Sequence, residues 1–406
     1  MANRFFTLAA LAAAIFFAAP ASATTVRVAI AKNVNSLTVS SEWPLRVDSG
    51  IDLGDTKILK ISCVKEGFKL NGKHVRGQSV MIASSGLIKA GLGSYHGAIQ
   101  LMKNPGGGAV VINHVDMEDY IAGVVAMEMG RDWPAEALKA QAIASRTFAL
   151  HHMDRREGRL YDLDNTVSSQ VYKGVSGVNQ AVREAVFATG GLVAMFDGAP
   201  ALTFYHSCAG GETEDLKYVW GRESRPYLTS QPAPFEDGAP EKNWRVRFSG
   251  KDIQARFAKY GVKAGPVSGV EILSRTSSGR ARAVRVTYAG KHRDMNAAAF
   301  RRIMGENRLR STKFTVDSAK KGEFVFTGEG YGHAVGMSQW SARGMAEHGL
   351  SFDDIIGHFY PGVEITPIDG TERVAMASPA PIPAEKITGE SGGQLVPAAE
   401  PEALPQ

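Results

Sequence analysis

The first part of the chain has the hydrophobic pattern of strands. Between residue 24 and about residue 108, short runs rich in β-branched residues alternate with glycine and polar turns, as at 25–29, 58–64 and 80–83. Such runs are typical of short strands, and no long apolar stripe at helical spacing accompanies them. The pattern predicts a small β-rich region over residues 24–108, which ends in the turn-forming run 103–108.

The following part, residues 109–366, mixes both periodicities. Apolar positions at helical spacing predict helices over 117–129, 134–152, 178–188, 297–304, 338–348 and 352–359. The run 192–196, the pair Asp197-Gly198 and the run 202–206 predict a hairpin, because Asp-Gly suits the type I′ turn. A second hairpin is predicted through 270–273 and 283–288. The fold class is therefore expected to be α+β.

Both ends of the sequence differ from the middle in composition. Residues 1–23 contain Arg4, an apolar run from Phe5 to Ala19, and Ala21-Ser22-Ala23, which predicts a secretory signal peptide cleaved near Ala23. No later apolar run is long enough for a membrane span. Residues 367–406 are rich in proline and alanine and have no aromatic residue, so we expect a disordered tail. We therefore expect a secreted, periplasmic or cell-wall-associated protein.

Composition and charge exclude several classes of protein. The 406 residues contain 46 basic and 41 acidic side chains, and the formal net charge of +5 is too small to indicate nucleic-acid binding. The two cysteines, Cys63 and Cys208, do not make a disulfide framework, although a single bridge between them is an open alternative. No close cluster of histidine and cysteine predicts a metal site.

One carboxylate falls on the apolar face of the first predicted helix. Asp116 fits an N-cap, and the apolar stripe that follows consists of Met117, Tyr120, Ile121, Val124 and Val125. Three residues further on, the same face reaches Glu128. Burial would raise the pKa of its carboxyl and keep it protonated near neutrality, as a general acid requires. Alternatively, the helix frays before Gly130 and Glu128 reaches solvent.

Two later segments combine glycines with polar side chains. In 204–213, His206 and Cys208 fall on one side of a predicted strand, but residues two apart rarely form the hydrogen bond of a Cys-His nucleophilic pair. The Gly210-Gly211 turn would instead let a substrate approach the backbone. The loop 328–340 lacks the third glycine of a dinucleotide fingerprint because His333 stands there. Its glycines favour close packing against a sugar chain.

Six motifs, in order, resemble the SpoIID/LytB family. They are EDYIAGVVAMEM at 118–129, LKAQAIASRT at 138–147, QVYKG at 170–174, His206-Ser207 with Gly210-Gly211 and Thr213, Val219-Trp220-Gly221 with Pro226-Tyr227-Leu228, and GYGHAVGMSQ at 330–339. Together they extend over roughly residues 110–366. The resemblance does not include the β-rich region before residue 110 and does not explain Cys208.

The resemblance implies a function and its site residues. The family includes a lytic transglycosylase that cuts peptidoglycan strands already stripped of stem peptides by an amidase, and proteins described as amidase enhancers. It implies that Glu128 is the catalytic acid. The implied substrate contacts are Arg146, Gln170, Tyr172, His206, Ser207, Gly210, Gly211, Thr213, Tyr331, Gly332, His333, Ser338 and Gln339. Of these, Gln170, Tyr172, His206, Tyr331, His333 and Gln339 are expected to line the groove.

The same resemblance sets the expected partners and cofactors. Some members bind zinc through Cys and His just before the Gln-x-Tyr motif, whereas this chain has Asp164, Ser168 and Ser169 there, so we expect no metal and no cofactor. The expected partners are peptidoglycan glycan strands and an N-acetylmuramoyl-L-alanine amidase. A non-catalytic enhancer of that amidase and a Cys-His peptidase or amidase are the alternatives to a transglycosylase.

Overall fold

The computed structural model describes residues 24–368, except residues 50, 52, 105, 131, 156, 157, 222, 223 and 321. The predicted signal peptide and all but Pro367 and Ile368 of the predicted tail lie outside the described residues. In the part described, eleven strands are followed by a mixture of helices and further strands, and most of the strand pairs are antiparallel, which confirms the α+β class. None of the helices in that part is long and apolar enough to span a membrane.

The helices agree with the predicted ones to within two residues at each end. They are α1 (Met117–Glu128), α2 (Ala135–Asp154), α3 (Gln180–Ala188), α4 (Leu216–Trp220), α5 (Gly250–Lys259), α6 (Ala297–Met304), α7 (Gln339–Glu347) and α8 (Phe352–Phe359). The pattern did not predict α4 and α5. The helix α4 is a single short turn, and α5 places Ile253 and Phe257 in the core but is otherwise mainly polar.

The first eleven strands build two large sheets. They are β1 (Thr25–Val34), β2 (Ser36–Ser40), β3 (Arg46–Val47), β4 (Ile58–Val64), β5 (Gly67–Leu70), β6 (Lys73–Arg76), β7 (Ser79–Ala83), β8 (Ile88–Ala90), β9 (Gly93–Tyr95), β10 (Ala98–Lys103) and β11 (Ala109–Asp116). With β12 (Leu163–Asp164) they form the sheets β12-β1-β11-β10-β7-β3 and β6-β5-β4-β2-β8-β9. The boundary predicted at residue 108 therefore falls in the turn between the paired strands β10 and β11.

The remaining strands form smaller sheets. They are β13 (Leu192–Phe196), β14 (Ala199–Pro200), β15 (Tyr205–His206), β16 (Asn243–Ser249), β17 (Val267–Arg275), β18 (Ala281–Tyr288), β19 (Lys291–Asn296), β20 (Phe314–Lys320), β21 (Glu323–Glu329), β22 (Met337–Ser338) and β23 (Glu364–Pro367). They pair as β14-β13-β23, β15-β22, β16-β21-β20 and β17-β18-β19. The hairpin predicted through 270–273 and 283–288 is confirmed as β17 and β18.

The hairpin predicted around Asp197-Gly198 is correct at the turn and wrong beyond it. Its second strand, β14, consists of Ala199 and Pro200 and does not include 202–206. The Leu202 N–H donates to the Tyr227 hydroxyl (3.0 Å), and the Thr203 hydroxyl donates to the Ala144 carbonyl (2.7 Å). These contacts draw the chain inward, where β15 pairs in parallel with β22. His206 is thereby placed beside the glycine-rich loop 328–340.

The chain folds into two lobes with separate hydrophobic cores. The first lobe comprises residues 24–242 and 330–368, and its core joins the N-terminal sheets to α1, α2, α3, α7 and α8. The second lobe, residues 243–329, has its own core, which includes Phe257, Phe300 and Phe326. Its first and last residues, Asn243 and Glu329, are paired in one sheet.

Polar contacts fix the second lobe to the first. The Arg280 side chain, 1% exposed, donates to the carbonyls of Ala209 and Glu212, the latter at 2.9 Å. Ser278 donates a hydrogen bond of 2.9 Å to Glu214, and Lys313 donates one of 2.6 Å to the Gly210 carbonyl. Because these contacts converge on residues 209–214, that loop is held between the lobes.

Candidate active site

A groove of about 880 Å³ separates the two lobes. Its volume is typical of a ligand site. The first lobe contributes Met127, Glu128, Phe148, His152, Val167, Ser168, Ser169, Phe204, Tyr205, His206, Ser207, Val219, Trp220, Tyr331, Gly332, His333 and Gln339. The second lobe contributes Ala298, Arg301, Arg302, Glu306, Asn307 and Thr312.

Glu128 is the last residue of α1 and is half-buried in the groove wall. Its Oε1 accepts a hydrogen bond from the Val171 N–H (2.8 Å). Burial raises the pKa of the Glu128 carboxyl to about 7, although the Val171 hydrogen bond opposes the shift. The alternative in which the helix frays before Glu128 is therefore wrong. The carboxyl is close to half-protonated at neutral pH.

A buried network beneath this carboxyl positions the segment that carries Val171. Tyr120 donates to Gln170 Oε1 (3.0 Å), and Gln170 Nε2 donates to the Tyr205 hydroxyl (3.0 Å) and to the Ser145 carbonyl (3.3 Å). Burial raises the pKa of both tyrosines, so they stay neutral hydrogen-bonding groups. Gln170 is 1% exposed and does not line the groove, which corrects its predicted place there.

Aromatic rings cover one side of the groove. The Phe204 and Trp220 ring centroids lie 4.7 Å apart, and those of Trp220 and His333 lie 5.0 Å apart. Phe148 and His152 stack at 4.0 Å beside them. Such surfaces combine apolar faces with polar edges, which suits a ligand with both, such as a sugar ring.

Two neighbouring histidines in the groove are neutral. Burial lowers the pKa of His206 well below its usual value and that of His333 to about 3, and the charges of Arg301 and Arg280 lower both further. His206 Nδ1 donates to the Val335 carbonyl (3.3 Å), so its Nε2 is an acceptor. That Nε2 is buried and has no hydrogen-bond partner among the described residues. The structure therefore has an unused hydrogen-bond acceptor just beneath the groove surface.

Cys208 is not an activated nucleophile. The residue is 1% exposed and does not line the groove, and burial is the main cause that raises the pKa of its thiol to about 12. A thiolate, which nucleophilic attack requires, is therefore disfavoured. Both cysteines are free, so the alternative of a Cys63–Cys208 disulfide is wrong.

The structure brings half of the predicted site residues together. Glu128, His206, Ser207, Tyr331, Gly332, His333 and Gln339 line the groove. Arg146 and Tyr172 do not, because both are turned into the core. Arg146 binds Glu118 (2.9 and 2.5 Å) and the Leu192 carbonyl, and Tyr172 donates to Asn113 Oδ1 (2.9 Å). Their predicted direct contact with substrate is corrected to a structural position.

Gly210, Gly211, Thr213 and Ser338 also lie outside the groove lining. Buried Glu236 organises this region, since it accepts hydrogen bonds from the N–H groups of Ala209 (2.6 Å) and Gly211 (2.7 Å) and from the Ser338 hydroxyl. Thr213 accepts from the Gln231 N–H (2.8 Å). Gly210, Gly211 and Thr213 therefore belong to a loop beside the groove, to which Glu236 ties Ser338, and their predicted contact with substrate stays a prediction. No sequence pattern had indicated Glu236.

Sequence reasoning missed most of the second wall. None of the motifs of the family resemblance includes Arg301, Arg302, Glu306 or Asn307. The spacing of polar and apolar residues also did not indicate that these side chains would line a site. Trp220 was part of a quoted motif but was not assigned to the site. In the part of the chain that is described, no three His, Cys, Asp or Glu side chains cluster as metal ligands. The expectation of no cofactor stays a prediction.

Comparison with known proteins gives a consistent assignment. A family model described as stage II sporulation protein matches residues 106–196, and a domain of unknown function matches 236–336, which brackets the second lobe. The stage II sporulation protein D of Bacillus amyloliquefaciens is 32% identical over 64% of this chain and 76% of its own length. An uncharacterized protein of Brachyspira hyodysenteriae is 34% identical over 63% and 68%. The amidase enhancer of Bacillus subtilis is 28% identical over 61% and 40%.

Proposed function

This chain belongs to the SpoIID/LytB family, and from that premise we propose that it is a peptidoglycan lytic transglycosylase. Family membership gives the chain a cell-wall-related role. The finer proposal is that it cleaves the bond between N-acetylmuramic acid and N-acetylglucosamine in strands without stem peptides, and that it releases 1,6-anhydro products. The signal-like pattern of residues 1–23 supports a further proposal, that it acts outside the cytoplasm.

The carboxyl of Glu128 carries this proposal. A pKa of about 7 suits a group that must first give and then take a proton at neutral pH. Among the described groove residues the other carboxylate is Glu306, which is ion-paired with Arg301 (2.8 Å) on the second lobe. Hydrolytic glycosidases use two working carboxylates, whereas a transglycosylase that forms an anhydro ring needs one.

The reaction follows from that single group. Protonated Glu128 gives its proton to the glycosidic oxygen as the bond from that oxygen to the anomeric carbon breaks. The O6 hydroxyl of the same muramic acid attacks the anomeric carbon, and the Glu128 carboxylate takes the O6 proton. One C–O bond breaks, one forms, and the carboxyl regains its proton. The Val171 N–H stabilises the carboxylate between the two transfers.

A non-catalytic role is the second candidate, because the chain is similar to an amidase enhancer. In that case the groove would hold glycan and present it to an N-acetylmuramoyl-L-alanine amidase without cutting it. The aromatic surface would serve either role. The raised pKa of Glu128 favours the enzyme, since simple glycan binding does not require a protonated carboxyl.

The test compares three forms of residues 24–406 on amidase-treated peptidoglycan, with mass spectrometry of the soluble products. We expect anhydro-muramyl saccharides from the wild type and from Glu306→Gln, which removes the other groove carboxylate, but none from Glu128→Gln. Glycan binding without cleavage by any form would favour the enhancer. Reducing-end products that disappear in Glu306→Gln would indicate a two-carboxylate hydrolase.

A further inference from the structure

The groove has one permanent charge without a partner among the described carboxylates. Arg301 is paired with Glu306, and His206 and His333 are neutral. The Arg302 side chain lines the groove and is exposed, and no described carboxylate lies within ion-pair distance of it. An unpaired guanidinium in a groove favours a ligand group with negative charge, above all a carboxylate.

The backbone that carries Arg302 is held firmly. Helix α6 begins at the N-cap Asn296, whose side chain accepts from the Ala298 N–H (2.7 Å). Phe300 and Met304 are fully buried in the second core, and the Arg302 carbonyl accepts a hydrogen bond from the Tyr260 hydroxyl (3.2 Å). The guanidinium therefore projects from a fixed helix on the wall opposite the lobe that carries Glu128.

We propose that Arg302 binds the lactyl carboxylate of a muramic acid and so makes the groove selective for strands without stem peptides. This inference rests on the proposed function. In an intact strand the lactyl carboxyl is bound in an amide to the stem peptide and is uncharged. Amidase hydrolysis leaves a carboxylate, which a guanidinium binds through two parallel hydrogen bonds. Through Arg302 the second lobe thereby binds selectively to the product of the preceding amidase reaction.

A binding cycle tests the proposal without requiring cleavage. All proteins carry Glu128→Gln, and their dissociation constants are measured for glycan oligosaccharides from amidase digestion and for the same oligosaccharides after amidation with methylamine. We expect Arg302→Gln to weaken binding of the carboxylate form roughly fivefold and to leave binding of the amidated form unchanged. Arg302→Lys should recover part of the loss. Arg293→Gln, which removes an exposed arginine outside the groove, should change neither constant.

Three results would overturn the proposal: no loss in Arg302→Gln, an equal loss on both ligands, or no measurable binding of either ligand. If Arg302→Gln changed neither dissociation constant while the wild type released anhydro products, the role of Arg302 would be refuted and the proposed transglycosylase activity would be supported. If the expected binding differences were found but the wild type cleaved nothing, the role of Arg302 would be supported and the transglycosylase activity refuted. The groove would then select stripped strands for another enzyme.

Discussion

At the scale of single residues, the raised pKa of Glu128 suits the proposed proton transfer and also lowers the stability of the fold at high pH. Partial burial favours the protonated carboxyl, and the Val171 hydrogen bond favours the charged one. The pKa near 7 is the balance of the two. Glu128 could be found in the sequence because it continues an apolar stripe at helical spacing. Arg146 could not be placed that way, because α2 is buried on almost every side and its periodicity does not indicate which side faces the groove. Tyr172 lies outside the helices, in the segment 170–175, where no periodicity gives the direction of a side chain.

The first prediction concerns the pH dependence of activity. Because the reaction begins with protonated Glu128, the rate of anhydro-product release should be highest below pH 7 and fall about tenfold per pH unit well above it. Glu128→Gln should lower the rate by a factor of about 10³ at pH 6, and its residual rate should not show this fall above pH 7. Rates measured from pH 5 to 9 check both statements. A rate that is constant up to pH 9 would contradict the assignment of Glu128 as the acid.

The second prediction concerns stability. The folded-state pKa of Glu128 lies above the ordinary glutamate value of 4.5, so the favourable contribution of its carboxyl is complete below pH 4.5 and is lost as the pH rises through about 7. Glu128→Gln should therefore equal the wild type in unfolding free energy near pH 4 and exceed it by about 2 kcal/mol at pH 8.5. Urea titrations at both pH values measure the difference. The exposed Glu66→Gln should show none, and equal gains for both variants would refute the explanation.

The third prediction concerns Cys208. Its thiol is buried and its pKa is raised to about 12, so iodoacetamide at pH 7.5 should leave it unmodified in the folded protein and modify it in urea. Peptide mass spectrometry reads both states. Cys208→Ala should keep the wild-type rate to within about a factor of three, whereas a Cys-His peptidase or amidase would lose all activity.

At the scale of elements, the β-rich region supports the segment that binds Glu128. The Val175 N–H donates a hydrogen bond of 2.9 Å to the carbonyl of Ser94 in β9. The ring centroids of Tyr95, also in β9, and Tyr172 lie 5.9 Å apart. These contacts hold the segment 170–175, whose Val171 N–H binds Glu128. This link between the two regions could not be predicted, because the contact joins residues about eighty positions apart and no local sequence pattern encodes it.

A glycine in this contact gives the fourth prediction. Gly174 has a φ of +62°, and a Cβ built there would lie 2.0 Å from the Ser94 carbonyl oxygen. Gly174→Ala should lower stability by about 3 kcal/mol or more and reduce activity further by displacing Val171. Gly91 is the matched control, with a φ of +63° and no atom within 4 Å of the built Cβ. Thermal unfolding and product release should show a small loss in Gly91→Ala. Similar losses in both variants would mean that backbone strain alone acts.

Local periodicity predicted most of the helices and several strands, but not always which strands pair with each other. Six helices and the β17–β18 hairpin follow from spacing because an apolar face determines each of them. The strand predicted at 202–206 was wrong for 202–204, because side-chain hydroxyls of distant residues, such as Tyr227, bind the backbone there. Its last two residues do form a strand, β15, but with β22 as the partner. Helix α5 was missed because Ile253 and Phe257 give only two strongly apolar positions.

At the scale of the whole molecule, the groove depends on how the lobes meet. The arrangement of the two lobes could not be predicted from the sequence, because no motif connects Arg280 with the residues near 210 that it binds. Arg280→Leu gives the fifth prediction, since it removes the buried hydrogen bonds to Ala209 and Glu212. We expect a loss of about 2 kcal/mol in stability and faster hydrogen exchange at 209–212. Arg285→Leu, which removes an ion pair with Asp294 inside the second lobe, should leave that exchange unchanged.

The pairing of Asn243 with Glu329 has a consequence for how such proteins can diversify. The second lobe leaves the chain and returns to it at one point, with a hydrophobic core of its own. It can therefore be exchanged for another fold with adjacent ends while α1 and its acid stay intact. On the proposed function, evolution or engineering could alter which strands are recognised by replacing the second lobe, while the proposed acid of the first lobe would be retained.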